Sequence, residues 1–168
     1  MGAEPQRMDI YRIAPEAYRH LSQLEGVIAQ HVEKKLLHLI KLRASQINGC
    51  AFCIAMHTDE ALRDGESTER LTLLDAWEES SLYSEKERAA LAWAEDVTLI
   101  AESGASKESF EALKAHFSEE EIGWLTFAIV QINGWNRIAI SSRAQYNRKM
   151  FENAGQPNAA PEKAPEPA

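Results

Sequence analysis

Both cysteines of the chain lie in one short segment, at Cys50 and Cys53, and a histidine follows at His57. The spacing is C-x-x-C-x-x-x-H. Two thiols at this spacing can form a disulfide or bind a metal ion. If the segment is helical, His57 lies one turn after Cys53 on the same face. The pattern therefore indicates thiol chemistry with a base beside it.

The motif leaves open which thiol reacts first. Gly49 is a plausible break before the helix, which places Cys50 at the positive end of the helix dipole and favours its thiolate. His57 is nearer to Cys53 and favours a thiolate there instead. The residues alone support either assignment.

The chemistry of the pair depends on the compartment. No hydrophobic segment resembling a secretory signal follows the N-terminus, so we expect a cytoplasmic protein. In a reducing cytosol, C-x-x-C is more often redox-active or metal-binding than structural. Zinc needs four ligands, and the motif offers three. His38 could be a fourth, which keeps a non-catalytic metal-binding or redox-sensing protein as an alternative.

Composition excludes several other classes. The 168 residues carry a formal charge of −8, which argues against a nucleic-acid partner because phosphate binding needs clustered Lys and Arg. No apolar run approaches the length of a membrane span, so we expect no membrane partner. We also predict no bound cofactor.

The hydrophobic periodicity predicts an all-α fold with no sheet. Capping boxes at Ser84–Glu87 and Ser118–Glu121 mark two helix starts. The predicted helices span 14–29, 33–46, 50–64, 69–78, 84–103, 106–117 and 118–146. We divide the chain into an N-terminal extension (1–13), a helical domain (14–153) and a disordered Ala/Pro-rich tail (154–168).

One short sequence occurs twice. Gln-Ile-Asn-Gly precedes Cys50, and the same four residues precede Trp135. Each copy follows an apolar helical run and precedes further helix. This context favours a degenerate duplication of a helix–break–helix unit in which only the first copy has cysteines.

From Leu36 to Arg143 the chain resembles the alkylhydroperoxidase AhpD/carboxymuconolactone decarboxylase family. The resemblance rests on Leu-Arg-Ala-Ser-Gln-Ile-Asn-Gly-Cys-Ala-Phe-Cys at 42–53 with His57, on 87–95, and on Ile-Asn-Gly-Trp-Asn-Arg at 132–137. It implies an AhpD-like all-α fold with a duplicated helical unit. It also implies an obligate homo-oligomer, a trimer or a hexamer.

The resemblance also implies roles for the motif residues. Cys53 attacks a peroxide substrate, Cys50 resolves the product to a disulfide, and His57 belongs to a proton relay. An external dithiol reductant, lipoyl-like or thioredoxin-like, then restores the thiols. The resemblance therefore predicts a thiol-dependent peroxidase. A thiol–disulfide oxidoreductase that uses the same cysteines is an alternative, whereas a decarboxylase has no evident need for the C-x-x-C.

Two positions depart from the family pattern. The family's relay includes a glutamate twelve residues before the first cysteine, where this chain has His38. Some members have a histidine inside the C-x-x-C, where this chain has Phe52. We include His38 among the candidate catalytic residues because an imidazole can pass a proton near neutral pH. Glu33 is the nearest upstream carboxylate, but it lies off the face of His38.

Overall fold

The computed structural model describes residues 5–147, and all regular elements in that range are helical. The all-α prediction is confirmed. The helices are α1 (Ile10–Ile13), α2 (Pro15–Ile28), α3 (Lys34–Ile47), α4 (Ala51–Arg63), α5 (Thr68–Leu73), a 3₁₀ helix (Leu74–Glu79), α6 (Glu85–Thr98), α7 (Ile100–Ser103), α8 (Lys107–Lys114) and α9 (Glu119–Ser142).

Helix α3 lies at the centre of the core, because apolar residues project from it in two directions. Leu36, Leu37 and Ile40 belong to a cluster built with α6, α8 and α9. Leu39 and Leu42 belong to a second cluster with α4, α5 and the 3₁₀ helix. With neighbours on both sides, α3 also buries polar side chains that an ordinary amphipathic helix would expose to water.

The motif begins at a sharp turn between α3 and α4. Gly49 adopts a left-handed conformation (φ 68°), which glycine tolerates without steric cost. Cys50 is the N-cap of α4, and Asp64 is its C-cap before the left-handed Gly65 (φ 85°). The predicted helix over 50–64 therefore agrees with the structure to within a residue at each end.

The structure departs from several of the predicted helices. The helix over 84–103 is broken at Leu99, within a run containing the β-branched Val97, Thr98 and Ile100, which form helices less readily. The segment 69–78 bends at Ala76, where Arg88 donates hydrogen bonds to the carbonyls of residues 77, 78 and 80. The last helix ends at Ser142 rather than near 146.

The second copy of the repeat contains no break, because Gly134 lies inside the uninterrupted helix α9. This agrees with the predicted helix over 118–146, whereas the helix–break–helix interpretation of this copy is wrong. Glycine within a helix costs about 1 kcal/mol relative to alanine, and burial of Ile129, Ile132 and Asn136 around it can offset this cost. The two copies nevertheless meet. Asn48 Nδ2 donates to Asn133 Oδ1 at 2.9 Å, so equivalent asparagines of the two copies are hydrogen-bonded.

The N-terminal segment lies against the C-terminal end of α9. The backbone N–H of Arg7 donates to the carbonyl of Ser142 at 2.8 Å, and its guanidinium donates to the carbonyl of Ser141. The predicted disordered tail (154–168) lies outside the described residues. No helix among residues 5–147 is long and apolar enough to span a membrane.

Candidate functional site

Cys50 and Cys53 are joined as a disulfide, with their Cα atoms 5.3 Å apart. Both residues are about 2% exposed. The backbone N–H of Cys53 points to the Sγ atom of Cys50 at 3.4 Å, so Cys50 caps α4 with sulfur. The structure therefore places the pair in the first turn of a helix, where the dipole favours a thiolate.

His57 is 1% exposed and lies on the same face of α4 as Cys53. Its Nδ1 atom donates to Glu60 Oε2 at 2.8 Å. An ionised carboxylate can only accept, so in neutral His57 the proton is on Nδ1 and Nε2 has a free lone pair. Nε2 is buried and has no hydrogen-bond partner among the described residues. A buried polar atom without a partner costs about 1–3 kcal/mol of folding free energy, so its presence here suggests a functional reason.

Glu60 is a site residue that the sequence analysis missed. It follows Cys53 by seven residues and His57 by three, so the three side chains share one face of α4. Burial raises the pKa of Glu60, but the hydrogen bond and charge of His57, with the charges of Lys41 and His38, outweigh burial and lower it. Helical spacing alone could have identified this carboxylate.

His38 lies near the other end of α4. Its Nε2 donates to Asp64 Oδ2 at 2.6 Å, and Lys34 Nζ donates to the other carboxylate oxygen at 2.6 Å. Hydrogen bonding to Lys34 lowers the pKa of Asp64, burial opposes this, and the bond to His38 lowers it further. Eleven residues of helix separate Asp64 from Cys53, roughly 16 Å along the axis. The catalytic role of His38 stays a prediction.

Among the described residues, neither Glu33 nor a metal-binding group joins the motif. Glu33 is the N-cap of α3 and accepts hydrogen bonds from the backbone N–H groups of residues 35 and 36. Within residues 5–147, no three His, Cys, Asp or Glu side chains come together as a metal-binding group. His38 therefore does not join the motif as the fourth zinc ligand that the metal-binding alternative needs.

A cavity of about 410 Å³ opens beside the disulfide, and we call it the thiol cavity. Cys53 lines it, whereas Cys50 is not among the described residues of its wall. Most of the wall is aromatic or aliphatic, with a few polar groups from α2 and the N-terminal segment. The wall includes Tyr11, Tyr18, Glu25, Phe52, Met56 and Trp135.

A polar cluster fixes the turn before the motif. Asn48 Nδ2 donates to the side-chain oxygens of Asn133 and Asn136, each at 2.9 Å. Asn136 Nδ2 in turn donates to Ser45 Oγ at 3.0 Å. Asn136 is fully buried, so these bonds are shielded from water and tie α9 to the end of α3. The position of Gly49 and Cys50 thus depends on α9.

The fold and the paired cysteines define an AhpD-like helical protein with a C-x-x-C on the first turn of a helix. The model of the carboxymuconolactone decarboxylase family matches residues 15–96. The uncharacterized protein YdfG of Bacillus subtilis (strain 168) is 42% identical over 137 residues, which cover 81% of this chain and 93% of YdfG. The chain belongs to the carboxymuconolactone decarboxylase family.

Solved structures agree with this assignment. ATU0492 of Agrobacterium tumefaciens, a protein of unknown function proposed to be the antioxidant defence protein AhpD, superposes with a TM-score of 0.83. It is 47% identical, and the alignment covers 85% of this chain and 99% of ATU0492. The debrominase Bmp8 has a TM-score of 0.71 at 24% identity, with 84% and 78% of the two chains covered, and shares the fold.

Proposed function

We propose that the protein is a thiol-dependent peroxidase that reduces organic hydroperoxides through the Cys50–Cys53 dithiol. The observation that carries the proposal is the buried, unpartnered Nε2 of His57 one turn after a cysteine that lines a cavity. In the disulfide, Cys53 has no S–H to offer this nitrogen. In the reduced protein, the Cys53 thiol can donate to it, and His57 can take the proton.

The proposed cycle uses each group of the site once. The Cys53 thiolate attacks the hydroxyl-bearing oxygen of the hydroperoxide, forming a sulfenic acid and releasing an alcohol. Cys50 attacks the sulfenic acid and displaces water, which gives the disulfide. Glu60 keeps the His57 ring in the tautomer that accepts at Nε2 and stabilises the imidazolium that forms. An external dithiol then reduces the disulfide.

The assignment of Cys53 as the attacking residue rests on its position. Both thiols belong to the first turn of α4, so the helix dipole does not separate them strongly. Cys53 lines the thiol cavity and precedes His57 by one turn, and these two facts favour it over Cys50. Cys50, as the N-cap, is then within reach of the sulfenic acid.

The thiol cavity supports a preference for organic substrates. A volume of about 410 Å³ lies in the range of pockets that hold small organic ligands, whereas hydrogen peroxide needs little more space than water. The aromatic wall offers apolar contact to the organic part of a hydroperoxide.

The homo-oligomer stays a prediction. Phe127 and Val130 on α9 are 56% and 55% exposed, which is in keeping with it.

Peroxide consumption tests the proposal. Purified protein with a small dithiol should consume cumene hydroperoxide faster than hydrogen peroxide, and Cys53→Ser should abolish the activity. Equal consumption by Cys53→Ser and the wild type would sink the proposal. An insulin-reduction assay run in parallel separates the two thiol chemistries, because fast reduction of a protein disulfide without peroxidase activity would favour a thiol–disulfide oxidoreductase.

A further inference from the structure

One member of an ion pair, Glu25, forms part of the wall of the thiol cavity. Glu25 of α2 lines the cavity together with Cys53, and its Oε1 accepts a hydrogen bond from Lys41 Nζ of α3. The side chain of Lys41 is 7% exposed, whereas that of Glu25 is 37% exposed. The pair therefore extends from the buried face of α3 to the cavity that the peroxide would enter.

Glu25 lines the cavity and has a second carboxylate oxygen outside its bond to Lys41. Its second oxygen, Oε2, accepts no hydrogen bond from residues 5–147, although the side chain is partly exposed. Asp9 is the other carboxylate of the wall, and it accepts a hydrogen bond from the backbone N–H of Arg12 at the start of α1. The two carboxylates differ in what holds them: Asp9 is bonded to a neutral backbone N–H, whereas Glu25 is paired with the ammonium of Lys41.

We propose that Glu25 is a catalytic residue that accepts the O–H of the hydroperoxide and holds its peroxide bond towards Cys53. This inference rests on the proposed peroxidase function. The Cys53 thiolate attacks the oxygen that carries the hydrogen, so an S–O bond forms as the O–O bond breaks. The electron pair of the O–O bond leaves on the alkoxide, which takes from His57 the proton that the thiol had lost.

The contact to Glu25 can persist throughout this step. The attacked oxygen keeps its hydrogen and becomes the oxygen of the sulfenic acid, so the same O–H donates to Glu25 before and after the transfer. Pre-arranged contacts of this kind lower a barrier by fixing the geometry of attack. They also select substrates that have an O–H on the peroxide bond, which dialkyl peroxides lack.

The positive charge of Lys41 reduces the repulsion between the Glu25 carboxylate and the Cys53 thiolate. An uncompensated negative charge would repel both the Cys53 thiolate and the developing alkoxide, and the ammonium on the opposite oxygen offsets it. The charge of Glu25 acts across the cavity wall: burial raises the pKa of Tyr18, and Glu25 raises it further. Lys41 needs Glu25 equally, because an unpaired buried ammonium is strongly destabilising.

The test compares two reactions of reduced Cys53 in the full chain. Stopped-flow measurement gives its rate constant with cumene hydroperoxide, and mass spectrometry follows its alkylation by iodoacetamide, which reports thiolate reactivity without a peroxide. Glu25→Asp keeps the charge pair but withdraws the carboxylate by one methylene. The double variant E25Q/K41M removes both charges and leaves no unpaired ammonium. Glu16→Gln, on the exposed side of the same helix, is the matched control.

We expect both Glu25 variants to lose about tenfold in the peroxide rate constant, as for the loss of one charge-assisted hydrogen bond, with alkylation changed less than about twofold. Glu16→Gln should match the wild type in both reactions. Unchanged peroxide rates in both variants, or equal losses in both reactions, would overturn the proposal. A wild-type Cys53 that is alkylated but does not react with hydroperoxide would instead refute the peroxidase function, and this inference with it.

Discussion

Glu60 Oε2 accepts a hydrogen bond from His57 Nδ1 at 2.8 Å, three residues further along the same helix. The motif's base is therefore oriented by a carboxylate on its own helix. The family pattern places a relay glutamate upstream, at the position that His38 occupies in this chain. Glu60 can serve that function here, since a histidine needs only one acceptor to fix its tautomer.

Replacing Glu60 tests this assignment. Glu60→Gln removes the negative charge that stabilises the imidazolium but keeps the size of the side chain. We expect the rate constant of Cys53 with cumene hydroperoxide to fall about tenfold, since a charge-assisted bond becomes a neutral one. The exposed Glu69→Gln on α5 is the control and should match the wild type. A wild-type rate in Glu60→Gln would remove Glu60 from the mechanism.

His38→Gln tests whether His38 takes part directly in the proton relay or acts only through its charge. His38 is bonded to Asp64 and reaches the motif only through its charge near Glu60. We therefore expect the peroxide rate constant to fall no more than about twofold, since the charge of His38 is the smallest of the influences on Glu60 and no proton passes through it. A loss of more than tenfold, with the fold intact by circular dichroism, would return His38 to the relay that the family pattern implies.

The pairs at Asp64 predict a pH-dependent contribution to stability. The pKa of Asp64 is lower in the folded protein than in the unfolded chain, so its contribution is complete above about pH 4, the unfolded value. It is lost as the pH falls through the folded pKa. Urea unfolding should show Asp64→Asn to be about 1 kcal/mol less stable than the wild type at pH 7.

Comparing wild type and Asp64→Asn at lower pH tests the direction of this pH dependence. The difference in unfolding free energy between the two proteins should shrink steadily as the pH falls below about 4, because protonation then removes the charge from the wild type as well. A difference that stays constant down to pH 3 would show that Asp64 acts through packing or helix capping rather than through its charge.

The polar cluster behind the motif should matter for stability. Asn136→Ala removes two hydrogen bonds, from Asn48 Nδ2 and to Ser45 Oγ, and deletes a fully buried side chain. We expect a loss of about 2 kcal/mol in unfolding free energy, about 1 kcal/mol for each lost bond. Ser141→Ala, at an exposed position on the same helix, should change stability by less than about 0.5 kcal/mol. Equal effects of the two substitutions in urea unfolding would mean that the cluster is dispensable.

The sequence predicted the elements that local rules determine. Capping boxes located two helix starts, and Gly49 and Gly65 marked the ends of the motif helix, because each signal acts over a few residues. The break at Leu99 was missed, since weak helix formers end a helix only in some tertiary contexts. The repeated Gln-Ile-Asn-Gly likewise forms a break in one copy and continuous helix in the other.

In the site, too, local spacing was predictable from the sequence and contacts between helices were not. Cys53, His57 and Glu60 share a helix face, so their proximity follows from spacing, although only the first two were recognised in advance. Glu25 and Lys41 come from two other helices, and their pairing depends on where α2 lies, which its packing on α9 determines. For His38 the sequence position was misleading. It corresponds to the relay glutamate of the family pattern, but the side chain is bonded to Asp64.

The central claim is that Cys53 attacks the peroxide. The most direct measurement uses Cys50→Ser, which cannot form the disulfide, treated with cumene hydroperoxide and a sulfenic-acid trap and analysed by mass spectrometry. We predict one trapped adduct on Cys53, and no oxidation of Cys50 beyond background in the reciprocal Cys53→Ser protein. An unmodified Cys53 in Cys50→Ser, with a trapped sulfenic acid on Cys50 in Cys53→Ser, would contradict the account.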